Sequence, residues 1–129
     1  MSKYVDNPLL IGGRKFDLRL YVLVTNYRPL KVWKCSIGMA RFCNGRYNNA
    51  DMENMYIHLT NVSLQKNAEN YNQSNGGKWT LENVYFYIES NYGKKRLKKL
   101  KEDIDYLILN SLKSVQVNFY IFYYLEYYI

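Results

Sequence analysis

Cysteine and histidine are scarce in this sequence, which contains only Cys35, Cys43 and His58. No Cys-x-x-Cys or His-x-x-x-His pair occurs, and this argues against a structural zinc site. We therefore predict no metal ligands in this chain. Such sparse use of cysteine is more typical of a reducing compartment than of a disulfide framework, so we expect a cytoplasmic location.

Long apolar runs are also missing. The N-terminus lacks the basic start and apolar stretch of a secretory signal peptide. The longest apolar run, residues 117–129, is interrupted by Asn118 and Glu126 and is too short to span a bilayer. The sequence thus predicts no membrane partner.

Acidic side chains are outnumbered by basic ones. Eighteen Lys and Arg against eleven Asp and Glu give a net charge of +7, which favours an anionic partner. Nucleic acid, an anionic membrane surface, a nucleotide and an acidic protein tail all satisfy this condition. With 129 residues, 48% of them hydrophobic, the chain fits one domain or a piece of a larger one.

The first half of the sequence predicts antiparallel strands. Residues 15–25 alternate between apolar side chains on one face and a charged row on the other. The charged row consists of Lys15, Asp17 and Arg19. A turn at 26–29 and a returning strand at 30–36 complete a hairpin. We expect further strands near 39–43 and 55–59, separated by an Asn-rich loop at 44–54, and then a polar loop at 67–77.

The second half predicts two amphipathic helices. Thr80 is a suitable N-cap for the first helix, and Gly93 is a suitable end. The second helix is expected over 94–115, with a regularly spaced apolar face. That face comprises Leu97, Leu100, Ile104, Leu107, Ile108 and Leu112. Strands followed by helices indicate an α+β fold.

Several polar residues could carry chemistry, although each also has a purely structural explanation. Two cations flanking a carboxylate on a strand suit a nucleotide phosphate and ribose, or form an ordinary solvated face. The segment 58–61 could bind a ligand or cap the next turn. Arg41 could face a carboxylate or extend to solvent. The lysine-rich run 94–101 is typical of a solvated helix face, and a nucleic-acid stripe is its less favoured alternative.

Four segments together resemble one known family, the tubulin tyrosine ligase-like enzymes, and are closest to its polyglutamylating members. They are KYVDNPLLIGGRKFDLRLYVLVT, ARFC, YIHLTNVSLQK and GGKWTLENVYFYIE, in that order. The resemblance begins at Lys3 and ends at Val115. It implies that residues 1–115 form the central part of an ATP-grasp ligase domain. The tail 116–129 is aromatic, has neither helical spacing nor strict alternation, and shows no resemblance to the family.

The resemblance implies an activity, cofactors and partners. Such enzymes use ATP and Mg²⁺ to phosphorylate a carboxylate, and an amine then forms an amide. In this branch the acceptor is a glutamate side chain in an acidic C-terminal tail of tubulin, and the amine belongs to free glutamate. The implied location is the microtubule cytoskeleton of the cytoplasm, including axonemes or basal bodies.

The resemblance also implies roles for individual residues. Lys3, Tyr4 and Val5 match the hinge whose backbone receives adenine. The charged row matches residues at the ribose and phosphates. A second nucleotide-contacting element corresponds to His58, Leu59, Thr60 and Asn61. Positions around the phosphoryl group and the incoming amino acid correspond to Arg41, Ser63 and Lys78. Arg19 and Arg41 are the expected catalytic cations, since they would stabilise developing negative charge.

Two family elements are not found in this sequence. The glycine-rich and lysine-bearing strands would precede Lys3, and the magnesium-binding Asp and Glu-x-Asn strand would follow Val115. We therefore expect no ligase activity from this chain alone. The alternatives are a noncatalytic remnant that binds tubulin and a small basic module that stacks nucleic acid on exposed tyrosines. The inward apolar set of the first strand disfavours the nucleic-acid module, so we expect no nucleic-acid partner.

Overall fold

The computed structural model describes residues 3–68 and 77–127, with only the backbone path given for 117–127. Four strands and four helices lie in these ranges. In chain order they are β1 (Leu10–Ile11), β2 (Arg14–Tyr27), β3 (Leu30–Phe42), α1 (Met55–His58), α2 (Val62–Gln65), β4 (Lys78–Thr80), α3 (Leu81–Tyr92) and α4 (Lys94–Tyr127). The predicted α+β fold class is confirmed.

The strands form one sheet in the order β1-β2-β3-β4. Strand β1 is antiparallel to β2, and β3 is antiparallel to β4. Only Arg28 and Pro29 separate β2 from β3, and so short a connection makes this pair antiparallel as well. The strands predicted at 30–36 and 39–43 are thus one continuous strand, β3.

The alternation predicted for the first strand is present in β2. From Leu18 to Thr25, half-buried and exposed residues alternate without interruption. Arg19 lies on the exposed side, while Leu18 and Leu20 lie on the half-buried side. Period-two burial of this kind follows from the pleat of a strand that covers a core on one face only.

Two compact units share the chain. The first contains the chain up to Tyr21 together with Cys35–Val84, and the second contains Val22–Lys34 together with the chain from Tyr85 onward. Buried apolar side chains form the core of the first unit. They are Ile11, Ala40, Phe42, Cys43, Ile57, Leu81 and Val84. Among the second-unit residues whose side chains the structure describes, Ile88 and Leu97 are the buried apolar ones.

The segment 55–59, predicted as a strand, is the short helix α1 for most of its length. The side chain of Asn54 accepts a hydrogen bond from the backbone N–H of Tyr56 at 3.1 Å and so caps the helix. This local cap decides the conformation, because four apolar and aromatic residues carry no period of their own. The predicted loop 67–77 lies largely outside the described residues.

The ends of α3 and the start of α4 lie where the sequence predicted them, but the end of α4 does not. The Thr80 hydroxyl accepts a hydrogen bond from the backbone N–H of Asn83 at 3.2 Å, and Gly93 ends α3 with a φ of 84°. Helix α4 begins at Lys94 as predicted but continues to Tyr127, twelve residues beyond the predicted end at residue 115. No glycine or proline follows Gly93, and Tyr, Phe and Ile cost little in a helix interior.

One residue of the predicted apolar face of α4 is placed differently. Leu107 is exposed, whereas Leu97 is buried and Leu100, Ile104, Ile108 and Leu112 are half-buried. Within the part of the chain that the structure describes, no helix is both long enough and apolar enough to cross a membrane.

Candidate functional site

One face of the sheet in the first unit carries a cluster of charged side chains. Arg41 on β3 and Lys78 on β4 are direct partners in the antiparallel register, so their side chains share a face. The guanidinium of Arg41 binds the Asp17 carboxylate of β2 through two nitrogens, with Nε 2.9 Å from Oδ1. Asp17 and Lys15 lie two residues apart on β2 and therefore also share this face. We call these four residues, with Thr60, the charged cluster.

Asp17 is the acidic member of the charged cluster and is held ionised. Partial burial of its carboxyl raises the pKa, but other effects outweigh it. Hydrogen bonds from Arg41 and Thr60, together with the positive charges of Arg41 and Arg19, hold the pKa of Asp17 below its ordinary value of 3.8. Arg19 is exposed and acts on Asp17 through its charge.

Lys15 belongs to a chain of hydrogen bonds that ends in a buried histidine. Its ammonium donates to the Tyr4 hydroxyl at 3.1 Å and lies 4.4 Å from the centre of the Tyr4 ring. The Tyr4 oxygen is 2.7 Å from Nδ1 of His58, and Nε2 of His58 is 2.8 Å from the carbonyl oxygen of Asp51. A carbonyl only accepts, so Nε2 carries the proton and Nδ1 accepts from Tyr4.

Thr60 and its neighbours are fixed by Gln65, which is 3% exposed. The Gln65 side-chain oxygen accepts from the backbone N–H of Asn44 at 2.8 Å. Its amide nitrogen donates to the carbonyl oxygens of Tyr56 at 3.2 Å and Leu59 at 2.5 Å. One buried amide thus joins the end of β3 to α1 and to the residue before Thr60.

The structure places the sequence-predicted residues in two groups. Seven of them gather on or beside the charged face, where they contact one another or pair across neighbouring strands. They are Tyr4, Lys15, Asp17, Arg41, His58, Thr60 and Lys78. The others, besides Arg19, are exposed, and among the described residues no side-chain hydrogen bond links them to the cluster. They are Lys3, Val5, Leu59, Asn61 and Ser63.

Sequence reasoning did not find three residues that support this site. Tyr47 packs its ring edge-on against His58 at 5.4 Å between ring centres, and burial raises the pKa of its phenol to about 12. Asp51 contributes through its backbone carbonyl and Gln65 through a buried amide. A backbone contact carries no side-chain signal, and an isolated Gln in a polar stretch is indistinguishable from a surface residue. The aromatic ring of Tyr47 was the one available signal.

The chemistry of the charged cluster fits an anion. Lys15, Arg41 and Lys78 contribute positive charge, and Thr60 contributes a hydroxyl group. The cluster does not fit a divalent cation, because the Asp17 carboxylate is occupied by Arg41. Within residues 3–68 and 77–127, no three His, Cys, Asp or Glu side chains lie together as metal ligands.

The sequence as a whole matches the profile of a known protein family. The profile of the tubulin-tyrosine ligase family matches residues 1–124, and the chain belongs to this family. The resemblance drawn from the sequence is thereby confirmed. The match extends nine residues beyond residue 115, where the sequence placed the end of the resemblance.

Several curated relatives are tubulin polyglutamylases by name. The chain is 53% identical over 118 residues to the probable alpha-tubulin polyglutamylase Ttll1 of Tetrahymena thermophila, covering 90% of this chain and 29% of that protein. It is 47% identical over 115 residues to the probable tubulin polyglutamylase TTLL9 of Rattus norvegicus, covering 89% and 25%. It is 44% identical over 113 residues to the probable tubulin polyglutamylase ttll-9 of Caenorhabditis elegans, covering 88% and 27%. The chain thus spans between a quarter and three tenths of the length of these relatives.

Proposed function

We propose that this chain forms part of the ATP site of an ATP-grasp ligase that adds glutamate to tubulin. The observation that carries the proposal is that Lys15, Asp17, Arg41 and Lys78 share one sheet face, where Asp17 accepts hydrogen bonds from Arg41 and Thr60. Family membership supports the same assignment. A nucleotide phosphate is the anion that such a cluster of cations would bind.

The residues of the charged cluster, together with the neighbouring Arg19, would bind different parts of the nucleotide. Lys15 and Arg19 would neutralise phosphate oxygens, and Asp17 would accept a hydrogen bond from a ribose hydroxyl. Arg41 would stabilise negative charge that develops during phosphoryl transfer, because a fixed cation needs no reorganisation at that moment. When bound, ATP would supply the phosphoryl group that activates a glutamate carboxylate for attack by an amine.

The proposed substrates are anions, which suits the charge of the protein. Free glutamate carries a carboxylate that Arg41 and Lys78, as cross-strand partners, would orient. The acidic C-terminal tail of tubulin would be attracted by a chain of net charge +7. The names of the relatives support tubulin as the acceptor and the microtubule cytoskeleton of the cytoplasm as the location.

Calorimetric titration of the purified chain with ATP tests the nucleotide site. We expect Lys15→Met and Arg41→Gln each to weaken binding about tenfold, since each removes a charge-assisted hydrogen-bond donor. Lys31→Met is the matched control, because Lys31 is an exposed lysine on β3 outside the charged cluster.

Three outcomes would count against the proposal. The first is absence of saturable ATP binding by the wild-type chain. The second is equal binding by the wild type and by Lys15→Met. The third is tighter, steeply salt-dependent binding of a single-stranded oligonucleotide, which would favour the nucleic-acid alternative.

A further inference from the structure

We infer that Tyr4 and His58 are positioning residues that hold the Lys15 ammonium where a phosphate would be bound, and that His58 itself does not contact the nucleotide. This inference rests on the proposed nucleotide site and adds to it. It replaces the direct nucleotide contact that the family resemblance implies for His58 with an indirect role.

Both ring nitrogens of His58 already have partners inside the protein. Its side chain is 7% exposed, with Nε2–H donated to the Asp51 carbonyl and Nδ1 accepting from Tyr4. The rings of Tyr4 and Tyr47 stand edge-on to the imidazole, at centre-to-centre distances of 5.9 and 5.4 Å. No hydrogen-bonding atom of His58 is left for a ligand, so its influence must pass through Tyr4.

Tyr4 transmits this influence to Lys15 in two ways. Its hydroxyl gives its proton to His58 and is therefore free to accept from the Lys15 ammonium at 3.1 Å. Its ring lies 4.4 Å from the same nitrogen, within cation–π distance. The hydroxyl takes one N–H of the ammonium and leaves the others for an incoming anion.

Positioning of this kind matters because lysine is a flexible side chain. Ordering it during binding costs rotamer entropy, and this cost falls when the side chain is ordered beforehand. Lys15 without its partners would keep its charge but lose its fixed location. The contribution of Tyr4 and His58 should therefore appear only for ligands that carry phosphates.

Tyr4→Phe is the most direct variant, because it keeps the ring and removes the hydroxyl. We expect ATP affinity to fall about fivefold, the effect of one hydrogen bond, with no change in adenosine affinity. In a Lys15→Met background the same change should have no further effect on ATP affinity. His58→Gln keeps a donor for Asp51 but loses the acceptor for Tyr4, and should behave like Tyr4→Phe. His58→Asn retains an acceptor near the Nδ1 position and should restore part of the affinity.

A nucleotide-independent measurement separates this inference from the proposed function. The order parameter of the Lys15 Cε–H bonds, measured by NMR relaxation in the ligand-free chain, should be high and should fall in Tyr4→Phe. An unchanged order parameter would overturn the inference, as would equal losses of ATP and adenosine affinity or additivity with Lys15→Met. Lys15→Met with wild-type ATP affinity would instead overturn the proposed nucleotide site, while a fall in ordering would still show that Tyr4 positions Lys15.

Discussion

The guanidinium of Arg41 on β3 donates two hydrogen bonds to the carboxylate of Asp17 on the neighbouring strand β2. This bidentate geometry is the strong form of the arginine–carboxylate interaction. Both side chains keep some contact with solvent, at 19% and 39% relative exposure. The pair is consequently worth about 1 kcal/mol to the fold, in keeping with ion pairs near a surface.

Acidification should remove the contribution of Asp17 to stability. Its folded-state pKa lies below 3.8, so the contribution is present above that pH and is lost as the pH falls through the folded-state pKa. We expect Asp17→Asn to lower the free energy of unfolding by about 1 kcal/mol near neutral pH and to flatten its dependence on pH below 3.8. Urea unfolding followed by Trp79 fluorescence, in a Trp33→Phe background, measures this. An equal loss in Asp103→Asn, which breaks an exposed pair, would contradict the prediction.

Removing the Gln65 side chain should destabilise the first unit. Gln65→Ala leaves the backbone N–H of Asn44 and the carbonyl oxygen of Leu59 without their present partner, whereas the Tyr56 carbonyl oxygen keeps the N–H of Gly45. We expect a loss of about 2–3 kcal/mol in the free energy of unfolding, because buried polar groups then lack hydrogen bonds. Lys66→Ala, at the exposed neighbouring position, is the control and should change stability by less than about 0.5 kcal/mol. Similar losses in the two variants would show that the amide is not a structural link.

The two cysteines should differ sharply in reactivity. Cys35 is exposed, whereas Cys43 is buried, and burial raises the pKa of the Cys43 thiol to about 11. Only the thiolate reacts, so a thiol reagent near pH 8 should modify one cysteine rapidly and the second only on unfolding. Cys35→Ser should abolish the rapid phase. Two rapid phases in the wild type, or a rapid phase that survives in Cys35→Ser, would be incompatible with a buried Cys43.

Removal of residues 116–129 should shorten helix α4. The backbone is helical from Lys94 to Tyr127, so a chain ending at Val115 should lose the helical circular dichroism of about 12 residues. Val115→Pro in the full chain should reduce the same signal, because proline interrupts a helix interior. Unchanged ellipticity after both changes would show that the tail adds no helix, as its irregular spacing in the sequence suggested.

Features set by neighbouring residues were predictable from the sequence. The alternation of β2, the Thr80 cap and the Gly93 helix end each depend on a few adjacent residues, and all three are present. Helix α1 was predicted as a strand, because its conformation depends on the single Asn54 cap rather than on a repeating pattern. The end of α4 was also missed, since aromatic residues suit helices and strands almost equally well and no breaker marks a boundary.

Partnerships between distant residues were only partly predictable. The charged row was expected to act as a unit, but its members have different partners. Lys15 donates a hydrogen bond to Tyr4, Asp17 accepts hydrogen bonds from Arg41, and Arg19 is exposed. Period-two spacing shows which side chains share a face, but the register with the next strand determines which side chains they meet. For β2 and β3 that register follows from the geometry of their two-residue connection, of which the sequence predicted only the existence of a turn at 26–29.

The hydrogen bonds from Lys15 to Asp51 have a fixed direction. An ammonium only donates and a carbonyl oxygen only accepts, so along this path the Tyr4 hydroxyl accepts from Lys15 and donates to Nδ1 of His58, while Nε2 donates to Asp51. The Tyr4 oxygen also lies 3.4 Å from the Tyr47 hydroxyl, which is the longest of its contacts. Every bond dipole along the path therefore points the same way, and each bond polarises the next. Donation thus runs in one direction from Lys15 to Asp51, and the path is continuous only while the Nδ1 lone pair of His58 accepts from Tyr4.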